Sequence, residues 1–91
     1  MNESSWDLVV AGPARRTLDR LPEKIAVAVI GFMLGPLCEN PHRVGKALRA
    51  DLEGLLSARV GGYRVVYEIT ESDRTVRVLY VDHRADVYRR Q

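Results

Sequence analysis

Apolar residues in this 91-residue chain keep helical spacing through positions 14–37 and alternate from position 55 onward, so the chain divides into a helical part and a sheet part. One short segment precedes the helices. Trp6-Asp7-Leu8-Val9-Val10 has a weak period of two and ends at Ala11-Gly12-Pro13. It reads as a strand followed by a helix start, because a proline at the first helical position lacks only an N–H that would have no partner there. Ala14, Leu18, Leu21 and Ile25 then recur at helical spacing, with Arg15, Arg16, Asp19 and Arg20 on the other side. Pro22 interrupts the run and starts a second, longer helix, with Glu23 complementing its dipole. Ile25, Val29, Ile30, Met33, Leu34 and Leu37 form its apolar stripe. Gly35-Pro36 is expected to fray its end and Asn40-Pro41 to close it, since a residue before proline avoids the helical region.

Residues 40–54 read as a connector. Beyond it, Leu55–Val60 is strand-like, Gly61-Gly62 is a hairpin signal, Tyr63–Ile69 alternates, Glu71-Ser72-Asp73 is a turn and Thr75–Val81 is a further strand, followed by a polar tail. The order β-α-α-β-β-β gives an α+β fold in which two N-terminal helices pack on one face of a small, mostly antiparallel four-stranded sheet. Tyr63, Val65, Tyr67 and Ile69 point one way and Arg64, Val66 and Glu68 the other. By the same alternation Val76, Val78 and Tyr80 oppose Arg77, Leu79 and Val81. Only one sheet face needs to be apolar. Periodicity does not say which set faces the helices, but an open second face is where Arg64 would meet a ligand.

The length suits one domain, residues 1–91, with a single core. Hydrophobic residues at 46% with a net charge of only +2 exclude wholesale disorder. The single cysteine, Cys38, excludes an intramolecular disulfide framework and a multi-cysteine zinc site. No apolar run reaches the ~20 residues of a membrane span, and the N-terminal residues carry no signal-peptide pattern, so the expected compartment is the cytoplasm. Lysine occurs only at positions 24 and 46, so all but two of the 14 basic residues are arginine. Arginine's planar fork suits phosphate and stacks on bases. A GC-rich genome produces the same bias, so composition alone does not establish nucleic-acid binding.

Three stretches concentrate polar function: Gly45–Arg49, Ala58–Tyr67 and Val81–Arg90. A surface arginine is ordinarily just solvated, and Tyr63 and Tyr67 suit cross-strand packing better than base stacking. Arg64, however, sits mid-strand, where a charge needs somewhere wet or anionic to point. His83 and Arg84 follow a strand end, and a helical tail would put Arg84 and Tyr88 on one face. Adjacent antiparallel strands would then gather Arg64, Arg84 and Tyr88, which suits metal-free RNA cleavage. There is no phosphate-cradling glycine loop, no H-E-x-x-H pattern for a metal and no nucleophile elbow.

Leu18-x-x-Leu21-Pro22, Lys46-x-Leu48-x-x-x-Leu52-x-Gly54, Gly62-Tyr63-Arg64-Val65-Val66-Tyr67 and His83-Arg84-Ala85-Asp86-Val87-Tyr88 occur in this order. Together they resemble the RelE/ParE superfamily of type II toxin–antitoxin toxins, on the RelE side, over roughly residues 6–90. The resemblance implies a microbial-RNase-like domain that cuts messenger RNA in the ribosomal A site without metal or other cofactor, the ribose 2′-OH attacking the adjacent phosphate. It assigns Arg64 to the scissile phosphate, Arg84 to the leaving side, Tyr88 to a base, Arg59 to backbone phosphate, and Lys46 and Arg49 to RNA or ribosome. His83 is the candidate general base, histidine being the side-chain type suited to proton transfer at neutral pH. The best-known members carry two lysines where this chain has Leu55 and Ser57. The implied partners are a RelB-like antitoxin, messenger RNA and the ribosome, with operator DNA bound through the antitoxin and no membrane. Two other readings remain open: a ParE-like inhibitor of DNA gyrase acting by protein contact, and a plain binding module.

Overall fold

The structure is a computed structural model that describes residues 5–48 and 54–83. The first strand, β1, is Asp7–Val10, with Leu8 and Val10 turned toward the core and Asp7 and Val9 outward. Helix α1, Gly12–Arg20, begins directly after it with proline in its first turn and ends where Leu21, placed before Pro22, takes an extended conformation (φ −75°, ψ 148°). Helix α2, Glu23–Phe32, starts behind Pro22 with Glu23 in its first turn.

The fraying expected at Gly35-Pro36 does not occur. The helix widens instead into one π turn, Met33–Leu37, that accommodates Pro36 and runs on to residue 39. Pro36 has no N–H for the usual i→i−4 bond and its ring crowds the carbonyl at that position, so a local widening relieves both conflicts. The chain still closes at Asn40-Pro41, and Met33 and Leu37 are both fully buried.

The connector is more ordered than its composition suggests. It contains a short helix α3, Pro41–Val44, and a two-residue strand β2, Lys46–Ala47, which pairs antiparallel with β3, Leu55–Val60. Strands β4, Tyr63–Thr70, and β5, Thr75–His83, complete the sheet. Among the described residues the sheet therefore has five strands rather than four, in the order β1-β5-β4-β3-β2. Two residues are too few to produce a visible period, which is why β2 escapes a reading based on alternation. β3, β4 and β5 form the expected antiparallel meander, and β1 lies parallel to β5 on its other side. Gly61 makes the β3–β4 turn in the left-handed region (φ +60°), which suits a residue without a side chain.

The core is a single layer of contacts between the helices and one sheet face. Ala14, Val29, Met33 and Leu37 meet Ala58, Val65, Tyr67, Val76, Val78 and Val81. Each fully buried aliphatic side chain contributes about 1.5–3 kcal/mol. Tyr67 is fully buried and donates its hydroxyl to Pro41 O at 2.6 Å, tying α3 to the sheet.

The set facing the helices is Tyr63, Val65, Tyr67 and Ile69 of β4, but the alternation expected for β5 breaks. Val66 faces Tyr80 while the next residue, Tyr67, faces Val78, so Leu79 is an extra residue in the ladder. This bulge reverses the parity of everything after it. Val81 joins Val76 and Val78 in the core, and Tyr80, expected on their side, is turned out.

Candidate nucleic-acid interface

The sheet face that carries no helix among the described residues bears Lys46, Arg59 and Arg64, and the strand register orders them. Lys46 faces Ser57, Ser57 faces Val66 and Val66 faces Tyr80, so one row of outward side chains crosses β2, β3, β4 and β5. In the row nearer the Gly61-Gly62 turn, Arg59 faces Arg64 and Arg64 faces Asp82. Three of the expected site residues thus meet: Lys46, Arg59 and Arg64 line one open cleft of about 430 Å³ together with Val44, Ser57 and Ala58. Arg59 and Arg64 put two guanidinium groups directly across a strand pair, an arrangement that costs about 0.2–1 kcal/mol. Asp82 offsets part of that repulsion from the far side of Arg64. An anion seated between the two arginines removes it, so the cleft is electrostatically poised for phosphate.

His83 is not in this cluster. It pairs with Tyr63, and its ring meets the Tyr63 ring edge-on at 5.0 Å, beside Gly62. Tyr63 packs against the core and lines a second groove with Lys24, Ile25 and Val29 of α2, so His83 belongs to the helix side of the sheet while Arg64 belongs to the other. The expected cluster of His83 with Arg64 is therefore not assembled among the described residues. Arg84, Tyr88 and Arg49 lie outside the described residues.

The cleft depends on how the connector is held. Gly45 passes so close to Tyr67 that a Cβ there would collide with the phenol oxygen and sit 3.0 Å from Ser57 O. Only glycine lets the backbone approach this closely, and the approach sets Lys46 beside Ser57. Burial pushes the Tyr67 hydroxyl up to about 12, so it is a neutral donor at physiological pH.

Two other groups are accounted for structurally. Burial, and secondarily the charge of Asp7, pushes the Cys38 thiol up, which suits an inert core residue rather than a nucleophile. At the opposite end of the sheet, His42 Nε2 lies 2.6 Å from Glu71 Oε2. The Trp6 ring meets His42 edge-on at 5.4 Å, and the Arg74 guanidinium lies 4.5 Å over Trp6. This cluster clips the N-terminal strand, α3 and the β4–β5 turn together. Nothing local in the sequence signals this cluster, because the partners of His42 are distant along the chain. Among the described residues no group of three or more His, Cys, Asp or Glu is arranged to hold a metal ion, and no helix is long and apolar enough to cross a membrane.

A family model, the ParE toxin of the type II toxin–antitoxin system parDE, matches residues 8–88. Toxin RelE of Mycobacterium tuberculosis is 48% identical over 88 residues, covering 97% of this chain and 91% of the relative. Toxin RelG of the same organism is 53% identical over 77 residues, covering 85% and 88%. The crystal structure of the RelBE2 toxin–antitoxin complex from M. tuberculosis contains a chain that superposes with a TM-score of 0.84 at 45% identity. That match covers 88% of this chain and 99% of the other.

Proposed function

Since this chain belongs to the ParE-toxin family of type II toxin–antitoxin systems and is a toxin of the RelE kind, we propose that it is a metal-independent endoribonuclease that cuts messenger RNA in the ribosomal A site. The observation that carries this reading is the cleft on the outward face of the sheet, where Arg59 and Arg64 stand across one strand pair with Lys46 on the next strand. A protein acting only through an apolar contact has no use for two opposed guanidinium groups on an open sheet.

In the reaction the ribose 2′-oxygen attacks the adjacent phosphorus as its proton leaves. The bond from phosphorus to the 5′-oxygen breaks, and that oxygen takes up a proton. The products are a 2′,3′-cyclic phosphate and a free 5′-OH. Arg64 holds the scissile phosphate and stabilises the charge that builds on it, and Arg59 holds a neighbouring phosphate. Lys46, directly across from Ser57, supplies from the adjoining strand the ammonium that the Ser57 position itself lacks. By resemblance, Arg84 supports the leaving oxygen, Tyr88 orients a base, and Arg49 adds a cation toward RNA or ribosome. His83 is not given the role of base, because its ring is on the helix side of the sheet.

An antitoxin partner follows from the RelB–RelE complexes among the structural relatives, and the toxin would act in the cytoplasm, where messenger RNA and ribosomes are. Operator DNA would be reached through that antitoxin. The test is induced expression of the wild-type chain and of Arg64→Ala, followed by mapping of RNA 5′ ends. New 5′ ends within reading frames that vanish when translation is blocked, and that Arg64→Ala does not produce, support the proposal. Intact transcripts with broken chromosomes, and undiminished toxicity of Arg64→Ala, would establish gyrase poisoning by protein contact instead.

A further inference from the structure

Beyond the cleft, the row of outward side chains ends on an aromatic ring that the alternation of β5 would have buried. The bulge at Leu79 turns Tyr80 outward, and Tyr80 is 47% exposed, although a tyrosine in a small domain ordinarily buries its ring. Bulges commonly re-aim a side chain beside a functional site. Beside Tyr80 lies an open groove of about 260 Å³, lined by Arg16, Thr17 and Arg20 of α1 and by Tyr80 and Asp82 of β5. Arg16 and Arg20 are four residues apart and so share a face of α1.

We propose that Tyr80, Arg16 and Arg20 form a second nucleotide subsite where α1 meets the outward side of β5, Tyr80 stacking on a base of single-stranded RNA and the two guanidinium groups holding its phosphate. The proposal rests on the RNA-cleaving reading for the choice of ligand, and on the register for its geometry. Lys46 and Tyr80 end the same cross-strand row, three strand spacings apart, or about 14 Å, which a short splayed oligonucleotide spans. Val66, nearly buried, floors the row between Ser57 and Tyr80 without a charge. Asp82 lies between Arg64 in the register and the α1 arginines in the groove. Its carboxylate repels phosphate, so it divides the basic surface into two phosphate positions instead of one continuous stripe. A stacking ring beside paired cations favours sequence-tolerant binding of an unpaired strand. The charge of the groove favours this polyanion over an apolar segment of protein.

The test uses the full chain and short RNAs with 2′-O-methyl riboses, which cannot be cleaved by 2′-attack, each carrying one 5-iodouracil. After irradiation the adducts are mapped by mass spectrometry, and affinity is measured by anisotropy across a salt series. A uracil adduct on Tyr80 is expected. Tyr80→Leu should weaken binding about tenfold while Tyr80→Phe retains it. The double variant Arg16→Gln/Arg20→Gln should flatten the salt dependence by about 0.7 in slope for each phosphate it no longer neutralises. Circular dichroism of each variant should match the wild type, since all three positions are on the surface.

Absence of a Tyr80 adduct at every iodouracil position overturns the subsite, as does undiminished affinity of Tyr80→Leu. If the Tyr80 and arginine variants lose binding to an acidic peptide and not to RNA, the groove is a protein-docking surface and the proposal is wrong. The two readings fail separately. A wild type that produces in-frame cuts but gives no Tyr80 adduct loses only the subsite, and one that gives the adduct but no cuts loses only the nuclease.

Discussion

Tyr67 is the side chain whose removal tests both the packing and the architecture of the cleft. Its ring is fully buried, its hydroxyl donates to Pro41 O at 2.6 Å, and Gly45 rests against it. Tyr67→Phe keeps the ring and removes the donor, leaving the Pro41 carbonyl without that partner, at a cost of about 1–3 kcal/mol. For a domain of this size that corresponds to a Tm lowered by roughly 5–15 °C. A pH series separates the burial of the phenol from the hydrogen bond. The folded-state pKa is raised from 10 to about 12 by burial, so the folded protein disfavours the phenolate. Stability is therefore fully present below pH 10 and is lost as pH rises from 10 to 12. The loss amounts to about 2–3 kcal/mol at 1.36 kcal/mol per pKa unit. Urea unfolding of both proteins at half-unit steps from pH 8 to 12 is the assay. The difference between wild type and Tyr67→Phe should be constant to pH 9.5 and then shrink, because only the wild type has this proton to lose. Other tyrosines and the lysines titrate in both proteins and cancel. Parallel curves from pH 9 to 12 would refute the reasoning, and an unchanged midpoint at pH 8 would mean that the bond to Pro41 does not hold the connector.

Arg64→Ala should lower RNA cleavage by about 10²–10³-fold with an unchanged urea midpoint, measured on ribosome-bound messenger; retention of cleavage would remove Arg64 from the phosphate. His83→Gln should leave the cleavage rate within about threefold, since loss of a true general base costs about 10²–10⁴-fold; a large drop in rate together with a shifted pH–rate profile would return His83 to the reaction. Gly45→Ala should destabilise by about 1–3 kcal/mol, the size of an overpacking penalty, and should weaken RNA binding through displacement of Lys46, read by denaturant unfolding and a binding titration. Gly61→Ala should cost about 1–2 kcal/mol for its left-handed backbone and leave RNA binding unchanged, because the turn contributes no side chain to the cleft.

Residues 5–48 and 54–83 divide clearly between what a one-dimensional pattern carries and what it does not. The helices at Gly12–Arg20 and Glu23–Phe32 and the hairpin at Gly61 follow from spacing and from proline and glycine, because these act within a few residues of themselves; that Arg64 and Tyr63 take opposite faces follows too, but not which of them faces the helices. The family is equally legible, since its motifs are contiguous strings. Strand β2 is not legible because two residues show no period, and the parallel placement of β1 against β5 is not because it joins opposite ends of the chain, Asp7 facing Thr75. The gathering of Lys46 with Arg59 and Arg64 also belongs to tertiary structure: it requires Gly45 to pass against Tyr67, a residue 22 positions away in the numbering.

Strand β5 shows the same division on a single element. Residue order alone reveals a pattern of alternating side chains but not the place where it slips, so it sets Tyr80 beside Val76 and Val78. Hydrogen bonding to β4 inserts Leu79 as an unmatched residue, sends Val81 inward and Tyr80 outward, and leaves His83 against Tyr63. Sequence determined which residues could alternate; only the ladder between two strands decided where the alternation changed phase, because a bulge is a property of a pair of strands and not of either one.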